Sequence, residues 1–353
     1  MKSRAPLFVA LLSVITVGGY FVINSSNNSN EPIPEKTDVV ADDTSKPTSA
    51  GKVLFGFNAN LSNSPLNYAD VTFRKDIAKL RPQIIRWPGG SVSNDFNPFT
   101  GKADDGSGTA NKIEDLALMV KETGCDVMFV LNMVTHTLDE NLRVLKKAQS
   151  LGIPVRFVEL GNEYNNINSP GRKKYPTPTD YANECVKWIQ AIKAEFPGVE
   201  FGVIGENKGY KGAKTWNEDV LKVLGRYNVH LVYHCYPNPN DFSRNGMVDF
   251  RKLDSLLVED LRVSGFDRQQ HFWVTEFNVK YSDKQGVTAR LDPKEHQRAL
   301  LHLAKFLADK GADILCVHNL TGKEGVFNVK QKKIELMPTG FAMQHLLDSI
   351  HNK

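Results

Sequence analysis

Two short strings in this chain carry residue types that could do chemistry together: Val158-Glu159-Leu160-Gly161-Asn162-Glu163 and Trp273-Val274-Thr275-Glu276-Phe277. Each is an apolar, strand-like run that stops on a glutamate. Glu163 and Glu276 lie 113 positions apart (276 − 163), so only the fold can bring them together. Two carboxylates at two strand ends can cleave a glycosidic bond without metal or cofactor: one attacks the sugar, and the other gives and then takes a proton. Neither a metal nor a cofactor is therefore expected.

The elements that must position these glutamates are legible as alternating patterns. Apolar strand-like runs are expected at 53–57, 83–87, 126–131, 156–160, 200–204, 229–233, 272–275 and 313–317. Helical patterns follow at 68–80, 113–123, 138–151, 178–196, 216–227, 249–264, 293–310 and 338–350. Eight β-then-α units in series predict a single (β/α)8 TIM barrel over 51–353, with a doubly wound open sheet as the alternative. The open sheet would want a Gly-rich first turn. Phe57-Asn58-Ala59-Asn60 stands there instead, with no GxGxxG.

Composition narrows the partners. The chain has 353 residues, 41% hydrophobic and 24% charged, and a formal net charge of +4. That balance implies no polyanion field, and no basic stripe with interleaved aromatics suggests nucleic acid. The four cysteines form no CxxC pair; Cys235 and Cys316 sit in apolar runs and read as small buried hydrophobes. Lys2 and Arg4 precede an uncharged apolar run to Ser25, which predicts a signal peptide or signal anchor over 1–25. Residues 26–50, rich in Asn, Ser, Thr and Pro, read as a disordered linker. The expectation is an exported monomer, secreted or held at the cell envelope, touching a membrane only through its N-terminal segment.

In a barrel, the C-terminal strand ends and the loops after them form the active face. Polar residues gather there: Arg86-Trp87-Pro88-Gly89-Gly90 after the second strand, Asn132 and His136 after the third, Asn162-Glu163 after the fourth. Glu206 follows the fifth, His234 and Tyr236 end the sixth, Glu276 the seventh, and His318-Asn319 the eighth. Gly161-Asn162-Glu163, His234-x-Tyr236 and Glu276 in this register resemble the retaining glycoside hydrolases of clan A, across the whole barrel. Arg86-Trp87-Pro88-Gly89-Gly90 is similar to the α-L-arabinofuranosidases of that clan and, more loosely, to the heparanase-like β-glucuronidases. The resemblance implies Glu163 as acid/base and Glu276 as nucleophile.

The roles then carry physical demands. Glu276 must be ionised, with Arg86 and Tyr236 as the nearby cation and hydroxyl donor. Glu163 must start protonated, which burial and the charge of Glu276 would favour. Asn162 would hold the sugar 2-OH. Trp87, His234, Asn132 and His318 join the expected substrate-binding set. Trp87, Tyr164, Tyr210, Trp216 and Phe96 are candidate stacking platforms for sugar rings.

Blander readings stand beside these. Arg86 could pair with Glu159, and His234 could be a satisfied core histidine. Glu206 also ends a strand and competes for a catalytic role, or pairs with Lys208. Trp273, of opposite strand parity to Glu276, is expected to face the helices. A metal-dependent hydrolase would want His-x-His on the first strand, which is lacking. A glycan-binding barrel without turnover is the other rival. Arg172, Lys173, Lys174, Lys208 and Lys211 on two loops hint at an acidic or sulfated carbohydrate substrate.

Overall fold

The computed structural model describes residues 53–207, 215–280, 288–322, 324–330 and 333–351. The expected signal segment and linker, Tyr210, Lys208 and Lys211 lie outside the described residues. Among those described, eight parallel strands close into a barrel: β1 Leu54–Asn58, β2 Ile84–Trp87, β3 Asp126–Val130, β4 Phe157–Leu160, β5 Glu200–Ile204, β6 Val229–Cys235, β7 Phe272–Phe277 and β8 Ala312–Val317. Each strand pairs with its neighbours in sequence, and β8 closes on β1.

Eight helices follow the strands: α1 Val71–Lys79, α2 Ile113–Thr123, α3 Leu138–Ser150, α4 Pro178–Glu195, α5 Trp216–Leu224, α6 Phe250–Ser264, α7 Pro293–Asp309 and α8 Pro338–His351. Local sequence sets their starts. Thr137 and Glu140 form a reciprocal capping box on α3, and Thr177 and Asp180 do the same on α4, where Pro178 pre-sets the first turn. Asp292 caps α7 ahead of Pro293 by accepting two backbone N–H groups. Short hairpins at 96–103, 243–248 and 327–336, absent from the periodicity reading, sit in the loops.

The barrel is filled rather than hollow. Ile84, Met128, Phe157, Val232, Trp273, Ile314 and Cys316 form one buried cluster inside it, as successive inward side chains of a (β/α)8 barrel do. All four cysteines are buried and free. Gly202 makes room for this cluster: a Cβ there would lie 2.6 Å from the Trp273 ring. The second and larger core lies between the strands and the helices.

Trp273 faces the barrel interior, not the helices, and the reason is a break in the alternation. Trp273 pairs with Val232 and Glu276 with His234, so three steps on β7 match two on β6. The β8 side shows the same shift between Val274 and Phe277. A β-bulge at Val274–Glu276 therefore lets residues three apart share a face.

Candidate active site

Two residues beyond the apolar cluster, on the same inward faces, the side chains become polar: Ile84 gives way to Arg86, Phe157 to Glu159 and Val232 to His234. Asn58 at the end of β1 and Glu276 beyond the bulge complete this layer. Arg86 and Glu159 are both wholly buried.

Arg86 is the hub. It donates Nε–H to Glu159 Oε2 (2.8 Å) and Nη2–H to Glu159 Oε1 (2.6 Å). The same Nη2 reaches Asn162 Oδ1 at 2.7 Å, and Nη1 donates to Glu276 Oε1 at 2.7 Å. Both readings of Arg86 thus hold at once: it pairs with Glu159 and it supports Glu276. Burial opposes the guanidinium charge, yet the two carboxylates more than offset this and hold it protonated.

Glu276 accepts from four protein donors. Arg86 and Asn58 Nδ2 (2.9 Å) reach Oε1, while Tyr236 Oη–H (2.7 Å) and His318 Nδ1 (3.1 Å) reach Oε2. Burial pushes its carboxyl up, but His234, His318, Arg86 and the Tyr236 hydroxyl hold it far below the usual carboxylate range. Glu276 is an ionised carboxylate in a dry, donor-rich cradle.

Glu163 stands opposite, its side chain 23% exposed. His234 Nδ1 lies 2.9 Å from Glu163 Oε1 and 3.8 Å from Glu276 Oε2, and its Nε2 lies 3.2 Å from Thr275 Oγ1. Burial lowers the His234 pKa, but Glu276 and then Glu163 raise it past that penalty, so it ends above its ordinary value. For His318 burial wins, against the pull of Glu276, and its pKa is lowered. One oxygen of each glutamate and one ring nitrogen of His234 all lie within 4.8 Å of one another.

The loop that presents Glu163 is tightly constrained. Gly161 has φ +88°, and a Cβ there would lie 2.4 Å from the Tyr164 ring. Glu163 itself has φ +55°, a left-handed conformation that costs a non-glycine residue roughly 1–3 kcal/mol. Asn162 is buried; Arg86 occupies its Oδ1, and its Nδ2 makes no hydrogen bond within the protein. The site thus holds a buried amide donor with no partner in the protein.

Of the expected binding residues, Asn162, Arg86, His234, Tyr236 and His318 come together around the two glutamates. Two do not. Trp87 is only 3% exposed and packs edge-on against Phe96 and Phe129, so its ring is core and offers no stacking face. Asn132 uses its amide on neighbouring loops, donating to Phe96 O and Thr135 Oγ1 and accepting from the amides of Val134 and Thr135. Tyr164, Trp216 and Phe96 are buried as well. Aromatic side chains near a barrel mouth serve the packing of the loops here, because their area is worth more when buried.

His136 turns to Asp104 and Glu140. Glu206 is tied into its loop through backbone bonds with Asn217. Two of the basic residues are also engaged: Arg172 lies over the Trp216 ring, and Lys174 donates to the carbonyls of Met133 and Val134. Sequence reasoning missed Asn58 and Thr275 as site members. An asparagine closing β1 was a visible signal; the bulge that aims Thr275 at His234 was not.

The oxygen and nitrogen atoms of Glu163, His234 and Glu276 are near enough to share a metal ion. Glu276 is a poor ligand for one, since the Arg86 guanidinium 2.7 Å from its Oε1 would repel a second cation there.

No family model matches the sequence, and no curated protein matches it by sequence. Solved structures do match in fold. An α-L-arabinofuranosidase from Thermotoga maritima superposes with a TM-score of 0.60 at 17% identity, over 84% of this chain and 70% of that one. A family 51 α-L-arabinofuranosidase from Bifidobacterium longum gives 0.62 at 14% identity, over 84% and 73%. A 4-O-α-L-rhamnosyl-β-D-glucuronidase from Fusarium oxysporum gives 0.55 at 14%, over 84% and 68%. With its closed eight-stranded parallel barrel, this chain has a (β/α)8 fold, and these glycoside hydrolases share it.

Proposed function

We propose that this protein is a retaining glycoside hydrolase acting on a poly- or oligosaccharide. One observation carries the reading: one oxygen of an ionised, donor-cradled carboxylate on β7 lies within 4.8 Å of one oxygen of a partly exposed carboxylate after β4. Retaining enzymes keep their carboxyl groups about 5–5.5 Å apart, whereas inverting ones need about 6.5–9.5 Å to admit a water. The short separation supports double displacement.

Glu276 attacks the anomeric carbon while Glu163 protonates the leaving oxygen, and a glycosyl ester forms on Glu276. Esterification removes the negative charge beside His234 and Glu163. Glu163, now a carboxylate, takes a proton from water, which attacks the same carbon and frees Glu276. Arg86, Asn58, Tyr236 and His318 hold the nucleophile in one orientation, so little reorganisation accompanies attack. Asn162 Nδ2 is placed to donate to the sugar 2-OH, a contact that strengthens at the transition state. The basic, apolar 2–25 run further supports an exported enzyme.

Product release by the full-length chain on plant, algal and host polysaccharides, beside Glu276→Gln, tests this. Release by the wild type alone, with the anomeric configuration retained by NMR, is the expected result. Inverted products would overturn the double displacement. Glycan binding without release by either protein would favour a binding barrel.

A further inference from the structure

A second polar hollow, of about 420 Å3, opens beside the catalytic pair between the loops after β1 and β2. Asn60, Ser62, Ser91, Asp95, Ser107 and Asn111 are among its lining residues. That size is within the range of pockets that hold small molecules, about 300–1,000 Å3. The two loops that wall it are tied together: Thr109 N–H donates to Ser62 O, the Thr109 hydroxyl to Ser64 O, and Asn67 Nδ2 to Ala110 O. Asn111 is 3% exposed; its Nδ2 donates to Ala59 O, and its Oδ1 is buried with no partner. A buried acceptor without a donor is costly, and a sugar hydroxyl would satisfy it.

The position of the hollow fixes which part of a substrate it can hold. A Cβ on Gly90 would lie 3.4 Å from Asn60 Nδ2 and 3.5 Å from Glu276 Oε1, so Asn60, which lines the hollow, and Glu276 flank the same glycine. The hollow approaches Glu276 from the Oε1 side, where Asn58 and Arg86 bind. Glu163, through His234, stands on the Oε2 side. The leaving group must sit at Glu163, which protonates it. The hollow therefore lies on the glycone side of the scissile bond.

The lining also selects by charge. Hydroxyls and amides dominate, with Asp95 and Lys102 the charged members. Asp95 and Lys102 carry opposite charges, so neither sign prevails in the lining. A neutral, hydroxyl-rich sugar fits such a lining, and a carboxylated or sulfated one finds no cationic excess there.

Resting on the hydrolase reading above, we infer that this hollow is a second glycone subsite for a neutral, hydroxyl-rich sugar, so that the enzyme cleaves behind a disaccharide unit or longer. The hollow leaves Glu163 and Glu276 their roles and adds a requirement on chain length. Removal of single terminal sugars would be the poorer reaction.

Matched pairs of 4-nitrophenyl mono- and diglycosides of glucose, xylose, mannose, galactose and arabinose test it on the full-length chain. For the sugar that is cleaved, kcat/KM on the diglycoside should exceed that on the monoglycoside about tenfold or more, as one or two net hydrogen bonds would give. Ser107→Trp and Asn63→Trp, which fill the hollow from its two exposed walls, should each bring that ratio toward one. A wild-type ratio near one, or a high ratio that neither variant changes, would overturn the subsite while leaving the hydrolase standing. A greater advantage for a diglycoside ending in a uronic acid would overturn the preference for neutral sugars. No release from any pair, and none from the polysaccharide panel, would overturn both readings.

Discussion

Trp273 and Glu276 are three residues apart on one strand, yet both point into the barrel. A regular strand would send them to opposite faces. The extra residue in the bulge is spent on Thr275, whose side chain is wholly buried against His234. The bulge thus serves the floor of the barrel through Trp273 and the site above it through Glu276 and Thr275.

Removing only that hydroxyl isolates its contribution. Thr275→Val keeps shape and burial but leaves His234 Nε2 without its partner. One neutral hydrogen bond is worth about 1 kcal/mol, so kcat should fall about fivefold with KM little changed. Steady-state kinetics on the best substrate checks this; an unchanged kcat would mean the contact does not orient His234.

Arg86 neutralises two buried carboxylates, so its loss should affect folding and turnover together. Arg86→Ala leaves Glu159 and Glu276 without their cation, which costs about 3–5 kcal/mol for a broken buried pair. Arg86→Lys retains the charge but not the fork that reaches Glu159, Asn162 and Glu276 at once. Urea denaturation should show a large loss for the first variant and a smaller one for the second, with turnover severely reduced in both.

Stability should respond to pH through the histidines in opposite directions. The His234 pKa is raised in the folded protein, so its contribution is complete below the unfolded value of about 6.5 and is lost as pH rises through the folded value. The His318 pKa is lowered, so its contribution grows as pH rises toward about 6.5. Melting temperatures recorded from pH 5 to 9 should decline on the alkaline side, and His234→Asn should flatten that decline.

Glu276 adds a term on the acid side. Its folded pKa is depressed, so it stabilises the fold above the unfolded value of about 4.3 and ceases to do so as pH falls toward the folded value. Glu276→Gln should therefore lose less stability than the wild type between pH 5 and 3 in the same melts.

Asn162 should discriminate by the sugar 2-OH. Its Oδ1 is held by Arg86 and its Nδ2 has no partner in the protein, so the proposed function gives Nδ2 the sugar 2-OH. Asn162→Ala should lower kcat/KM on normal aryl glycosides about tenfold to a hundredfold, and much less on 2-deoxy analogues. Equal losses on both would assign Asn162 to holding Arg86 alone.

The eight-unit alternation, the helix starts at Thr137, Thr177 and Asp292, and the strand-end positions of Glu163, Glu276, Arg86 and Tyr236 were all legible in the sequence. Periodicity and capping are local, so a few neighbouring residues determine them. The strand-parity rule failed at Trp273 because a bulge is a property of pairing with β6 and β8, not of β7 alone. Trp87 and Asn132 stood at the right strand ends, but the tertiary structure turned one into the core and tied the other to its own loop and to Phe96. Side-chain direction at a loop depends on what packs behind it, and the partners of Trp87 (Phe96 and Phe129) come from two other segments. Sequence alone determined which reactive side chains were present and at which end of the barrel they stand. The close approach of Glu163 to Glu276, the sharing of Arg86 and the hollow beside Asn60 were decided by close packing between segments remote in the chain.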